Sequence, residues 1–177
     1  MCSFSSLVSL IVTACALLLL LTEAASPAKH LNITVTAAAF RNSVIQCWQL
    51  STPLITSTQS GTRGSMVAQL GDLSNATYSI IPAETNGGAH TAPYPQFVAF
   101  VSGAAKITIP GSTQEAFVHA GKNGLLFAAD TAALSRSRYG IIFTKETFLM
   151  HVPTAGGIVP PHTVLYTGPC RGDEFMR

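Results

Sequence analysis

The chain has 177 residues, with 10 Lys and Arg against 8 Asp and Glu, a formal net charge of +2 and only 10% charged residues. An ordinary soluble domain carries roughly 25% charged residues, whereas 47% of this chain is hydrophobic. That balance excludes an intrinsically disordered chain, which is poor in apolar residues and rich in charge. It also excludes a nucleic-acid binder of the usual kind, which needs clustered Lys and Arg. The length suits one domain.

In chain order, residues 7–21 carry no charge and end in the run Leu17-Leu18-Leu19-Leu20-Leu21, followed by the small residues Thr22, Ala24, Ala25 and Ser26. An apolar stretch followed by small residues at an A-x-A-like site is the pattern of a secretory signal peptide. It is shorter than the ~20 apolar residues that span a bilayer. The usual basic n-region is missing, since residues 1–6 contain no Lys or Arg. The expectation is a signal peptide over 1–24 and a single secreted domain over 25–177, with no membrane association after cleavage. Cys2 and Cys15 fall in the signal, which leaves Cys47 and Cys170. Two cysteines in an oxidising compartment predict one disulfide. Asn32-Ile33-Thr34 and Asn75-Ala76-Thr77 are N-glycosylation sequons, and the first lies close to the new N-terminus, where it should be accessible.

The rest reads as strands and turns. Residues 31–36 alternate with the period of a half-buried strand. Residues 37–49 are the one candidate helix, because Val44, Ile45 and Trp48 fall at helical spacing. Residues 52–64 are rich in Ser, Thr and Gly and read as loop or edge. Strands are expected at 65–70, 75–81, 97–101, 105–109, 115–119, 124–128, 139–143 and 147–152. Asn86-Gly87-Gly88 is a turn signal. Short strands with turn signals every 8–12 residues predict a sandwich or barrel.

The most informative stretch is His90-Thr91-Ala92-Pro93-Tyr94-Pro95-Gln96, followed by an apolar strand and Gly103. It resembles the first motif of the cupin superfamily, in which two histidines one residue apart precede a glutamate, a six-residue strand and a glycine. His90 takes the first histidine position, Ala92 the second, and Gln96 the glutamate position. The run from Gly121 through Leu125, Leu126 and Phe127 to Asp130 resembles the second motif without its histidine. With the terminal His162-Thr163-Val164-Leu165-Tyr166-Thr167-Gly168-Pro169-Cys170, the mature chain is similar to the small secreted cupin-like proteins of filamentous fungi. The resemblance implies an all-β fold, a double-stranded β-helix or jelly-roll barrel with few short helices.

The departures bear on chemistry. A cupin metal centre uses three imidazoles and a carboxylate, donors that suit iron or manganese. One imidazole and a neutral amide are a poor substitute, so neither metal nor other cofactor is expected. His151 shares a strand face with Thr147 and Leu149, and would approach His90 if that face lines the barrel interior. Asp130 follows an apolar strand; if buried, its pKa would rise through desolvation. His90, Gln96, Asp130 and His151 are therefore the candidate catalytic groups, with Trp48 and Tyr94 as candidate ligand contacts. A small barrel can hold one small ligand. The first functional expectation is a secreted protein that binds or transforms a small apolar organic molecule without metal, by dehydration, isomerisation, cyclisation or decarboxylation, for instance in fungal natural-product biosynthesis. A non-catalytic surface or host-interaction protein is a second reading, and a metal-dependent cupin with a remodelled site a third. The sequence leaves the oligomeric state open.

Overall fold

The computed structural model describes residues 28–172 and Met176; the expected signal peptide lies outside the described residues. The first strands are β1 (His30–Ala39) and β2 (Asn42–Pro53), then the short β3 (Ile55–Thr56) and β4 (Met66–Val67). Eight further strands follow: β5 (Thr77–Ile81), β6 (Thr85–His90), β7 (Gln96–Ser102), β8 (Ala104–Thr108), β9 (Glu115–His119), β10 (Leu125–Ala128), β11 (Tyr139–Phe143) and β12 (Thr147–Pro153). A single 3₁₀ turn at Ala155–Gly157 precedes β13 (His162–Thr167).

The large sheet has the order β13-β2-β1-β10-β7-β12-β5, and the second sheet the order β6-β11-β8-β9. Strands β5 to β12 therefore divide between two four-stranded groups, β10-β7-β12-β5 and β6-β11-β8-β9, crossing from one to the other at every connection but β8–β9. That is the double-sheet jelly roll, the architecture expected from the sequence. The β1–β2 hairpin extends the large sheet by pairing β1 parallel to β10.

Residues 37–49 form no helix. They turn the chain back on itself, with Ala37 opposite Val44 and Ala39 opposite Asn42. Both faces of this segment are partly buried, so its apolar residues fall at spacings that mimic helical periodicity. Asn86-Gly87-Gly88 also departs from expectation. It lies within β6, where Asn86 Oδ1 accepts from the Gly88 N–H at 2.9 Å and the ladder to β11 slips between Gly140 and Ile142.

Two apolar clusters result. One faces the space between the sheets and includes Val98, Phe100, Ile107, Leu126, Phe143 and Leu149. The other covers the outer face of the large sheet and includes Ile33, Val35, Trp48, Phe97 and Phe127. Both faces of β1, β7 and β10 are thus buried. Cys47 and Cys170 form the expected disulfide, with Cα atoms 4.7 Å apart, within the range a disulfide spans without backbone movement. It ties β2 to the segment after β13, where the Cys170 N–H also donates to Thr34 Oγ1 at 3.0 Å.

Candidate functional site

The two sheets of the jelly roll do not close completely over one another. They leave a cavity of about 1110 Å³, slightly above the usual size range of small-molecule sites. Strand parity decides what lines it, since alternate residues share a face. From the large sheet come Thr36, Leu126, Ala128, Gln96, Val98, Phe100, Leu149, His151, Thr77 and Ser79; from the smaller sheet come His90, Ile107, Tyr139, Ile141 and Phe143.

The strand register sorts these residues into tiers. Across the large sheet, Thr36 stands beside Ala128, Ala128 beside Gln96, and Gln96 beside Pro153. One step deeper the row is Leu126, Val98, His151 and Thr77. Deeper again it is Phe100, Leu149 and Ser79. Facing the first tier, His90 is opposite Tyr139 on the smaller sheet, with ring centroids 4.6 Å apart. Ile141 and Phe143 continue down β11. The cavity is therefore polar at one end, with Gln96, His151, His90 and Tyr139, and apolar at the other. Exposed Asn75, Pro93, Tyr94, Gly156 and Gly157 form the mouth.

Two polar side chains at that end make no hydrogen bond to a described residue. Gln96 and Tyr139 are each 7% exposed, yet neither the Gln96 amide nor the Tyr139 hydroxyl makes a hydrogen bond to a described residue. Buried amides and hydroxyls are almost always hydrogen-bonded, so these two are set for a ligand or for water in the cavity. Burial, and then the nearby Asp130 charge, push the Tyr139 phenol well above its ordinary pKa, so it stays a donor. His90 Nδ1 lies 3.2 Å from Gly88 O. A carbonyl can only accept, so Nδ1 carries the proton and Nε2 is left as the basic nitrogen. Desolvation lowers the pKa of His151, which keeps it neutral.

Asp130 sits beside this site, not in it. It is fully buried behind Thr36, outside the cavity lining, so its expected part as a catalytic group in contact with ligand is corrected to one behind the wall. Ser43 Oγ donates to Asp130 Oδ2 at 2.7 Å and lies 3.0 Å from Ser135 Oγ. The Thr36 hydroxyl favours the carboxylate electrostatically, but neither Thr36 Oγ1 nor Asp130 Oδ1 makes a hydrogen bond of proper geometry. Desolvation raises the Asp130 pKa to about 6, against the opposing pull of Ser43, Thr36, its own backbone and His90.

A raised carboxyl pKa means that the folded state holds its proton to higher pH than the unfolded state does. Stability from this group is full below about pH 4 and falls as pH rises through 6, by about 3 kcal/mol in all. The lowered His151 pKa acts oppositely, favouring the folded state as pH rises toward 6.5. Asp130→Asn is therefore expected to remove the high-pH loss. Chemical unfolding at pH 5 and pH 7.5 should show the wild type losing more stability than the variant over that interval; equal losses would place the Asp130 pKa near its ordinary value.

The remaining candidates divide. Tyr94 is at the mouth, 63% exposed. Trp48 is a correction: it faces the outer side of the large sheet, stacked on His162 with centroids 3.4 Å apart, its indole N–H donating to Gln46 Oε1 at 2.7 Å. It packs in the outer cluster and does not line this cavity. Asn32 is also corrected as an accessible acceptor. It is 2% exposed within β1, with Oδ1 accepting from Gln49 Nε2 at 3.2 Å, so the folded strand has no room for a glycan there. Asn75 is exposed at the mouth. Tyr139 was not singled out from the sequence; the alternation of Tyr139, Ile141 and Phe143 was its only signal.

The positions of the resembled metal motif do not fit a metal. Ala92, in place of the second histidine, is 1% exposed and bridged to Thr131. His90 and His151 come from different sheets, and no group of three His, Cys, Asp or Glu suited to an ion occurs among the described residues.

No protein-family model matches the chain, and no curated protein matches it. Among solved structures, the chain is similar in part to a conserved protein of unknown function from Streptococcus pyogenes, at 22% identity and a TM-score of 0.31. The match covers 49% of this chain and 66% of that one, just under two thirds of the neighbour's length.

Proposed function

We propose that the protein is a secreted cupin-like barrel that binds one small organic molecule with an apolar body and a neutral, hydrogen-bonding head group, such as a hydroxyl or carbonyl. The observation that carries this reading is the lengthwise polarity of the cavity. Its deep end is mostly apolar, with Phe100, Ile107, Phe143 and Leu149 beside the Ser79 hydroxyl, while the Gln96 amide and Tyr139 hydroxyl nearer the mouth make no hydrogen bond to a described residue. An apolar body gains about 25 cal/mol for each Å² it removes from water. An apolar group against the amide would displace its water and leave it unpaired, at a cost of about 1–3 kcal/mol, so a head group that both donates and accepts is favoured. No Lys or Arg lines the cavity, and the buried Asp130 behind it disfavours an anionic head.

For chemistry, His90 Nε2 is the group placed to take a proton from a bound molecule, with the Tyr139 hydroxyl as a donor to an adjacent oxygen. That pairing suits metal-independent dehydration or isomerisation. The donor set at the motif positions is a poor match for a metal centre, which favours this reading over a metal-dependent cupin. The leader-like pattern of residues 7–26 and the disulfide support an extracellular setting.

Binding is tested with N-phenyl-1-naphthylamine, a neutral apolar fluorophore whose emission rises in a dry site. One equivalent should saturate the protein. Ser79→Trp, which projects a bulky ring into the deep tier from a half-buried position, should weaken binding at least about tenfold, or 1.4 kcal/mol. His90→Ala should leave the melting temperature and the fluorophore affinity nearly unchanged, because the probe needs no proton acceptor. A fluorophore that binds at several sites, or equally well to Ser79→Trp, would reject the cavity as the binding site.

A further inference from the structure

The tip of the β1–β2 hairpin is held in an unfavourable conformation by its own sequence. Phe40 has φ 49° and Arg41 φ 63°, both in the left-handed region, as a two-residue type I′ turn requires. Asn, Asp and Gly dominate such turns because bulky L residues are strained there. This strained tip also holds a phenylalanine in water, since Phe40 is 99% exposed. The tip is nevertheless anchored. The Arg136 N–H donates to Arg41 O at 2.7 Å and the Ser43 N–H to Ser137 Oγ at 2.6 Å, beside the buried Ser43–Asp130 contact.

The anchoring loop has the same character as the tip. Leu134 is 51% exposed, and Arg136 and Arg138 are exposed alongside Arg41. None of the three arginines makes an ion pair with a described residue, and the only acid in these two segments, Asp130, is fully buried. Half of the chain's six arginines thus lie in the two segments that meet beside this fully exposed aromatic ring. This is the same end of the barrel as the polar tier, because Phe40 follows Thr36 by four residues, roughly 13 Å along the strand.

We propose that this end of the barrel docks on an anionic phospholipid surface, with Phe40 entering the headgroup region and Arg41, Arg136 and Arg138 pairing with lipid phosphates. Aromatic rings favour the membrane–water interface, and clustered cationic side chains near it are drawn to anionic leaflets. An unpaired basic collar around a protruding apolar tip complements such a surface, whereas a protein partner would need a broader apolar patch than Phe40 and Leu134 supply.

The test is cosedimentation of the purified, disulfide-bonded protein with vesicles of phosphatidylcholine alone or with ~30 mol% phosphatidylserine, an anionic lipid. The proposal expects at least tenfold stronger binding to the anionic vesicles, weakened by added salt. Phe40→Asn places a favoured residue at the strained turn, so it should keep or raise the melting temperature while reducing vesicle binding at least fivefold. The triple variant Arg41→Gln/Arg136→Gln/Arg138→Gln should bind no better than wild type binds neutral vesicles. N-phenyl-1-naphthylamine binding should be unchanged in Phe40→Asn, which keeps this outcome separate from that of the cavity. Equal binding to both vesicle types would overturn the proposal. So would arginine-dependent binding that Phe40→Asn leaves intact, since that describes a patch for soluble polyanions.

Discussion

Replacing Cys47 and Cys170 together by alanine is expected to lower stability by about 5 kcal/mol and the melting temperature by 10 °C or more. The bond joins residues 123 apart, and a loop of that length gives about 5 kcal/mol when the gain is attributed to restriction of the unfolded chain. Alanine serves better than serine here, because Cys47 is fully buried and a hydroxyl in its place would add its own desolvation cost. The loss should leave the site intact. The bond lies between β2 and the segment after β13, whereas the cavity is built almost wholly from β5–β12. Below its lowered melting temperature the variant should bind N-phenyl-1-naphthylamine as the wild type does. Unfolding followed by circular dichroism measures the first effect; a shift under about 1 kcal/mol would mean that the reduced unfolded chain is already compact.

Gly103→Ala is the second large effect, with a loss of about 3 kcal/mol. Gly103 joins β7 to β8 at φ +85°, where an L residue pays roughly 1–2 kcal/mol. An added Cβ would also lie 2.6 Å from the Thr147 Cα and collide with Glu146 O and Thr147 Oγ1. Backbone cannot yield as a flexible side-chain end can, so overpacking adds roughly 1–3 kcal/mol. Thr147 is the wrong place for a shift. Its fully buried hydroxyl donates to Lys145 O at 2.7 Å and accepts from the Ala104 N–H at 3.1 Å, and it begins the strand that carries Leu149 and His151. The denaturation midpoint should fall with little change in m-value. An unaltered midpoint would show that the turn relaxes freely.

That glycine shows what was legible in the sequence. Strands β7–β12 announced themselves because each is a short alternating or apolar run, most of them bounded by Gly, Pro or Asn. Strand parity also placed His90, Gln96 and His151 on faces that the structure brings into one cavity. Three elements left no such trace. β6 is Thr85-Asn86-Gly87-Gly88-Ala89-His90, with turn residues in a bulged strand and almost nothing apolar to alternate. The β1–β2 turn is Phe40-Arg41, which lacks the Asn-Gly that normally marks a type I′ hairpin. β2 is buried on both faces, so the period of two that distinguishes a strand is lost. Asn32 misled because closeness to the chain end suggests exposure, whereas β1 is an interior strand; Trp48 misled for another reason. Parity tells which residues face together, but only the register of β1 on β10 decides which face looks into the cavity and which into the outer cluster. Asp130 was singled out correctly as an acid beside an apolar strand, yet its separation from the cavity by Thr36 depends on that same parallel pairing, which no local pattern encodes.

The central claim is that the cavity takes an apolar body with a neutral polar head. The most direct measurement is displacement of N-phenyl-1-naphthylamine at pH 8 by two molecules of equal chain length, 1-decanol and decanoate. Their apolar bodies are nearly the same, so the comparison isolates the head group. With the unpaired Gln96 amide and Tyr139 hydroxyl near the mouth, no cation in the lining, and an ionised Asp130 behind the wall at that pH, 1-decanol should displace the probe at a concentration at least about tenfold lower, or 1.4 kcal/mol. Gln96→Leu should erase most of that preference. Displacement by decanoate as good as or better than by 1-decanol, in wild type and Gln96→Leu alike, would contradict the account.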